Sequence, residues 1–118
     1  MAVFASRQIV IQKIAVTITG SGDPNKCYAT INGAKQYSAG THEVNAGDTI
    51  TFGVYGTPVD GARGFVKIDG TEVLSVTNSS TKTYNWIVPS GISTIEIAMK
   101  YYYSDQRLRF GRITVTTA

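Results

Sequence analysis

Strict alternation of apolar and polar residues, broken at short intervals by turn-forming residues, limits the folds open to this chain. Ile14, Val16 and Ile18 alternate with Ala15, Thr17 and Thr19, as the two faces of a β-strand require. No segment sustains the 3.6-residue period of an amphipathic helix. Thr, Val, Ile and Tyr are plentiful and Leu is scarce, a composition that favours strands. We therefore expect an all-β protein.

Two Asx-Gly pairs predict tight hairpins at defined places. Asn32-Gly33 and Asp69-Gly70 suit type I′ turns, because both central residues of such a turn have positive φ. Counting outward from each turn gives the expected cross-strand partners. The predicted pairs are Tyr28 with Tyr37, Lys67 with Glu72, and Val66 with Val73.

A change of phase near the C-terminus predicts an irregularity in the last strand. Leu108 and Phe110 alternate out of step with Ile113 and Val115, and Gly111 lies between the two pairs. A β-bulge at this glycine would return both pairs to the core.

These signals predict an antiparallel, immunoglobulin-like β-sandwich of about eight or nine strands. Hairpin-length turns join all the strands except across the loop 56–64, and no crossover is long enough for a parallel βαβ unit. A chain of 118 residues supports one domain, which we place at residues 14–118. Residues 1–13 either extend the first strand or form an arm that pairs with a neighbouring subunit. The arm would make contact through Phe4, Ile9 and Ile11.

The sequence contains no recognisable catalytic or metal-binding constellation. Cys27 and His42 are the only residues of their kinds, so no disulfide can form within the chain and a His-rich zinc site is excluded. Cys27 alternates with Ala29 and Ile31 and is expected to be a core residue. Most acidic residues fall in turns, and no phosphate-binding glycine motif is present. We expect a protein that is not an enzyme and has no cofactor, no metal and no membrane-spanning segment.

The net positive charge is concentrated in the C-terminal hairpin. Of 11 basic and 8 acidic residues, four basic and one acidic follow position 96, which leaves seven of each elsewhere. Basic residues interleaved with Tyr bind anionic or acidic surfaces, although they also keep sheet edges soluble. A single local patch disfavours nucleic acid as the partner. We call the candidate residues the hairpin patch: Lys100, Tyr102, Arg107, Arg109 and Arg112.

A carbohydrate-binding or adhesion module is the alternative reading. Trp86 or Tyr102 would supply the stacking platform for a glycan. Trp86 shares its strand face with Tyr84 and precedes Val88 and Pro89, so a buried Trp is the competing interpretation.

The chain resembles the small Ig-like domains of tailed-bacteriophage virion proteins over roughly residues 14–117. An N-G hairpin comes before a strand entry of the form V-x-A-G-D-T-I, and a W-x-V-P-S-G turn precedes the penultimate strand. The three segments that carry the resemblance are YATINGAKQYSAGTHEVNAGDTITFGVYG, YNWIVPSGISTIEI and GRITVTT.

The resemblance implies a structural accessory role on a phage particle, such as capsid decoration, a head fibre or a tail component. Its partner would be a major capsid or tail protein, with self-association as a symmetric oligomer as a further expectation. The first twenty residues do not read as a signal peptide. We therefore expect synthesis in the host cytoplasm and assembly onto the virion.

Overall fold

The protein folds into two antiparallel β-sheets packed face to face. A computed structural model describes residues 11–57, 63–102 and 108–118, with the side chains of 100–102 and 108–110 left aside. The six-stranded sheet has the order β4-β1-β10-β9-β6-β7, and the four-stranded sheet has the order β3-β2-β5-β8. The first five strands are β1 (Lys13–Ser21), β2 (Cys27–Ile31), β3 (Ala34–Gln36), β4 (Ser38–Asn45) and β5 (Thr49–Gly56). The others are β6 (Gly64–Ile68), β7 (Thr71–Val76), β8 (Ser80–Ile87), β9 (Ser93–Tyr102) and β10 (Leu108–Thr117).

The predicted fold class, an antiparallel sandwich, is confirmed, and the described residues form ten strands instead of the predicted eight or nine. The chain repeatedly changes sheet: β5 lies in one sheet, β6 and β7 in the other, β8 returns beside β5, and β9 returns beside β6. This alternation is the Greek-key arrangement of immunoglobulin-like sandwiches. No helix that could cross a membrane occurs within the described ranges.

The core lies between the sheets and is built by alternate residues of the strands. In β1 every second residue from Ile14 to Ile18 is buried, and the residues between them are exposed. The same period holds in β9 from Ile95 to Met99. The largest side chains with less than 2% exposure are Phe52, Ile14, Ile18, Ile31, Ile50, Ile95, Ile97 and Ile113.

Both Asx-Gly turns have the predicted backbone. The φ angles are 52° and 80° at Asn32 and Gly33, and 49° and 85° at Asp69 and Gly70. The predicted register of Lys67 with Glu72 is confirmed. The predicted pair Val66 with Val73 is wrong: Val66 faces Leu74, because the β6–β7 ladder shifts between Val66 and Lys67. A β-bulge in β7 therefore follows the second cross-strand pair after the hairpin turn.

The predicted pair of Tyr28 with Tyr37 does not form part of the β2–β3 ladder. That ladder follows the predicted register but ends at the pair Ala29–Gln36, because the chain leaves the four-stranded sheet at Tyr37 to enter β4. Tyr28 instead lies across Gly53, where an added Cβ would be 2.2 Å from the ring carbon Cζ. The Lys35 ammonium lies 4.5 Å from the ring centroid, a cation–π distance.

The predicted bulge at Gly111 is also wrong. The β9–β10 ladder runs from Leu108–Tyr102 to Thr117–Ser93 without a shift. Gly111 is buried, and a Cβ there would lie 3.3 Å from Cys27 Cβ and 3.3 Å from Met99 Sδ. The glycine therefore makes room for the core side chains of Cys27, in the facing sheet, and Met99, in the neighbouring strand. Because the ladder has no shift, positions 108 and 110 lie on the face opposite to Ile113 and Val115.

Candidate contact surfaces

The structure divides the hairpin patch between two faces of the six-stranded sheet. In the β9–β10 ladder, Lys100 is in register with Phe110, and Arg109 is in register with Tyr101. Because successive strand positions alternate between faces, positions 100 and 102 share the face of Arg112, and position 109 belongs to the other face. Arg107 lies outside the described residues.

Arg112 is exposed but already has an acidic partner. Its Nη2 donates a hydrogen bond of 2.6 Å to Glu96 Oε2, and the two side chains are 62% and 36% exposed. Such an exposed ion pair contributes at most about 1 kcal/mol to stability. It nevertheless offsets the charge that Arg112 would offer to an anionic partner.

Next to this pair lies a cation–aromatic group that the sequence reasoning missed. Arg63 and Lys67 flank the ring of Phe65 on the outer face, at 5.1 Å and 5.0 Å from its centroid. Arg63 also pairs with Glu72, and Lys67 is in register with Glu96. The sequence did offer a signal for this group, because residues 63, 65 and 67 occupy alternate positions and therefore share one strand face. The acids make this face a mixed-charge ladder instead of a basic stripe.

The predicted arm contacts lie mostly outside the described part of the chain. Phe4 and Ile9 belong to residues 1–10, which the structure does not describe, whereas Ile11 is 58% exposed. Gln12 is held firmly: its carbonyl oxygen accepts a hydrogen bond of 2.9 Å from the Ala46 N–H. Its side-chain amide donates one of 3.2 Å to the Ser90 carbonyl oxygen. Gln12 is therefore fixed to the sandwich through both its backbone and its side chain.

The two turn motifs behind the resemblance meet at this same end of the sandwich. The Gly47 N–H donates to the Val88 carbonyl oxygen and the Val88 N–H donates to the Asp48 carbonyl oxygen, each over 2.8 Å. The Asp48 carboxylate also accepts a hydrogen bond of 2.9 Å from the Asn45 N–H. Gly47 has a φ of 93°, which glycine adopts without strain.

Cys27 is a buried, protonated thiol. Its side chain is fully buried, and Sγ donates to the Ile97 carbonyl oxygen over 3.4 Å. Burial is the main reason that the pKa of Cys27 rises from 9.0 to about 12, and the nearby Asp23 carboxylate also raises it. A thiol of this kind is a poor nucleophile at neutral pH. The prediction of a core cysteine is confirmed.

The raised pKa of Cys27 predicts a loss of stability in alkali. Below pH 9.0 the thiol is protonated in both folded and unfolded chains; between pH 9.0 and about 12 only the unfolded chain ionises. The free energy of unfolding should then fall by up to about 1.4 kcal/mol per pH unit. Urea unfolding of wild type and Cys27→Ala, measured with reductant from pH 8 upward, isolates this slope. An equal pH dependence of the unfolding free energy in both proteins would contradict the assignment of this loss to Cys27.

Trp86 is partly buried, on the face of the four-stranded sheet that packs against the core. It lies opposite Ile50 in the β5–β8 ladder and packs against the core cluster. Its ring centroid is 5.8 Å from that of Phe52, with the planes inclined at 36°. This geometry favours the buried interpretation of Trp86 over the glycan platform.

His42 lies half-buried on the edge strand β4, opposite Val16. Within the described ranges, no group of three or more His, Cys, Asp and Glu side chains is placed to hold a metal ion.

Comparison with known proteins gave no relatives. No family model matched the chain, and neither the curated proteins nor the solved structures contained a match.

Proposed function

We propose that this chain is a non-enzymatic structural protein of a bacteriophage particle, with capsid decoration or another virion accessory role as its task. The major capsid protein or a tail protein would be its partner. What supports the proposal is the junction of the two resemblance motifs, where Gly47 and Asp48 bond to Val88. The two motifs by which the sequence resembles virion domains thus form one structural unit.

The proposed mechanism is that of a rigid block attached at its margins. The core is apolar, and its one thiol is buried with a pKa of about 12. A particle protein of this kind needs only a stable fold and a docking surface.

Direct detection of the chain in purified particles tests the proposal. Particles from the producing culture would be banded by density and analysed by mass spectrometry and immunogold labelling. We expect the chain to co-purify with the particles at a fixed ratio to the capsid protein. Recovery of the chain only in the particle-free fraction would contradict the proposal.

Reversing two charges of the hairpin patch should weaken docking. With Lys100→Glu and Arg112→Glu, whose positions share one face of the six-stranded sheet, we expect particle affinity to fall by about tenfold or more at low salt, and less at high salt, because charged contacts are screened. Co-sedimentation with stripped particles measures the affinity. The matched control is Lys35→Glu with Lys82→Glu, an equal charge change on the four-stranded sheet. Equal occupancy of both double variants would remove the hairpin from the interface.

A further inference from the structure

Exposed aliphatic side chains are concentrated at one end of the sandwich. Among the described side chains, four large hydrophobic ones are exposed, and three of these are isoleucines at the end where β1 begins. Ile11 is 58%, Ile87 62% and Ile92 78% exposed, whereas Tyr37, at the opposite end, is 39% exposed. We call the surface formed by Ile11, Ile87 and Ile92 the isoleucine end. The sequence singled out only Ile11, because Ile87 and Ile92 look like ordinary strand residues.

Backbone hydrogen bonds hold the isoleucine end in place. Ile87 precedes Val88, whose N–H donates to the Asp48 carbonyl oxygen. Ile92 follows Gly91, whose carbonyl oxygen accepts a hydrogen bond of 3.3 Å from Thr117 Oγ1. Ile11 precedes Gln12, which is bonded to the same 88–92 segment through Ser90. The three isoleucines therefore project from an ordered surface.

Three described charged residues at this end, Asp69, Lys13 and Glu43, already have partners. The Asp69 carboxylate accepts hydrogen bonds from the Thr94 N–H at 2.9 Å and from Ser93 Oγ at 3.2 Å. Lys13 pairs with Glu43 at 3.8 Å. An apolar partner could therefore cover the isoleucines without leaving these groups unpaired, and burying an unpaired charge is costly.

The chain itself supplies a segment suited to cover this surface. Residues 1–10 read MAVFASRQIV, with four large apolar residues after Met1 and one charge, and they join the structure at Ile11. Ten extended residues reach at most about 33–36 Å. The segment is long enough to cross to the same end of a neighbouring copy.

The local sequence favours a neighbouring copy over the segment's own domain. β1 runs away from the isoleucine end, so covering its own Ile87 and Ile92 would require the segment to reverse direction next to Ile11. Residues 8–11 read QIVI, which contains three β-branched residues and none of the residues that favour turns. Crossing to a second copy requires no such reversal.

We infer that the isoleucine end is a self-association surface, on which residues 1–10 of one copy cover Ile87 and Ile92 of a second copy. The exchange is reciprocal, so it closes into a two-fold dimer that uses the same surface twice. This inference does not depend on the virion role. A dimer that fails to bind particles would overturn only the proposed function, and a monomer that binds them would overturn only the dimer.

Sedimentation velocity over the micromolar range tests the dimer. The full chain should sediment as a dimer, with twice the monomer mass of 12.7 kDa. Ile87→Thr with Ile92→Thr, and separately Phe4→Asp, should each raise the dimer dissociation constant by at least about 30-fold. Tyr37→Thr removes the exposed aromatic at the opposite end and should leave the constant unchanged. Circular dichroism checks that each variant is folded.

Mixing the two variants shows whether residues 1–10 cover the isoleucine end of a second copy or that of their own domain. The Phe4→Asp protein keeps an intact isoleucine end, and the Ile87→Thr/Ile92→Thr protein keeps an intact N-terminal segment. One of the two contacts can therefore form between them, and the mixture should contain a heterodimer at concentrations where each variant alone is a monomer. A full chain that remains monomeric, a dimer that survives the isoleucine substitutions, or a mixture without heterodimer would overturn the inference.

Discussion

Replacing Gly56 with Ala should lower the free energy of unfolding by more than about 3 kcal/mol or prevent folding. Gly56 ends β5, where a Cβ would lie 1.8 Å from the carbonyl oxygen of Val76 and 2.4 Å from its carbonyl carbon. Both atoms belong to the backbone of β7, so no side-chain rotation can relieve the contact. Urea denaturation, or the soluble yield if the variant does not fold, measures the effect.

Gly91→Ala is the matched control for this substitution. A Cβ at Gly91 meets nothing within 4 Å, and its φ lies outside the left-handed region. Its stability should stay within about 0.5 kcal/mol of wild type. If Gly56→Ala were as stable as Gly91→Ala, the close approach of β5 to β7 would be contradicted.

Truncation of Phe52 should cost about 3–5 kcal/mol, the usual range for a fully buried Phe replaced by Ala. The ring has no exposed surface and lies between Ala29 and Tyr84 in neighbouring strands. Its loss would leave a cavity next to Trp86, whose ring centroid is 5.8 Å away. Thermal or urea unfolding measures the cost, and Trp86 fluorescence of the folded variant should change.

Phe65→Ala is the control for Phe52→Ala. Phe65 is half-buried on the outer face, between Arg63 and Lys67, so its removal opens no internal cavity. We expect a cost below about 2 kcal/mol and unchanged Trp86 fluorescence. Equal costs for the two variants would contradict the placement of Phe52 at the centre of the core.

Local chemistry made much of the fold predictable from the sequence. The two Asx-Gly turns fix both backbone conformation and register close to the turn, because few residues other than Asn, Asp and Gly tolerate positive φ. Alternation in β1 and β9 identified their core faces for the same local reason. The assignment of Cys27 to the core followed from its place in the alternating pattern of β2.

The errors arose where tertiary packing overrides a local pattern. The shift at Val66 and the early end of the β2–β3 ladder depend on where each chain segment leaves its sheet. Counting residues outward from a turn gives no information about that point. Gly111 was misread because its role is to admit Cys27 and Met99, which are distant in sequence. The isoleucine end was missed because exposure at the end of a sandwich has no periodic signature.

The pairing of β10 with both β9 and β1 has a consequence for folding kinetics. β10 inserts between a strand that immediately precedes it and one from the other end of the sequence, so the contact order is high and folding is expected to be slow. On the ribosome, β1 can pair with β4 early, but its other edge stays open until β10 has been synthesised. Once β9 has been added, and until β10 is complete, the nascent chain presents two unpaired edges, on β1 and β9, to other chains.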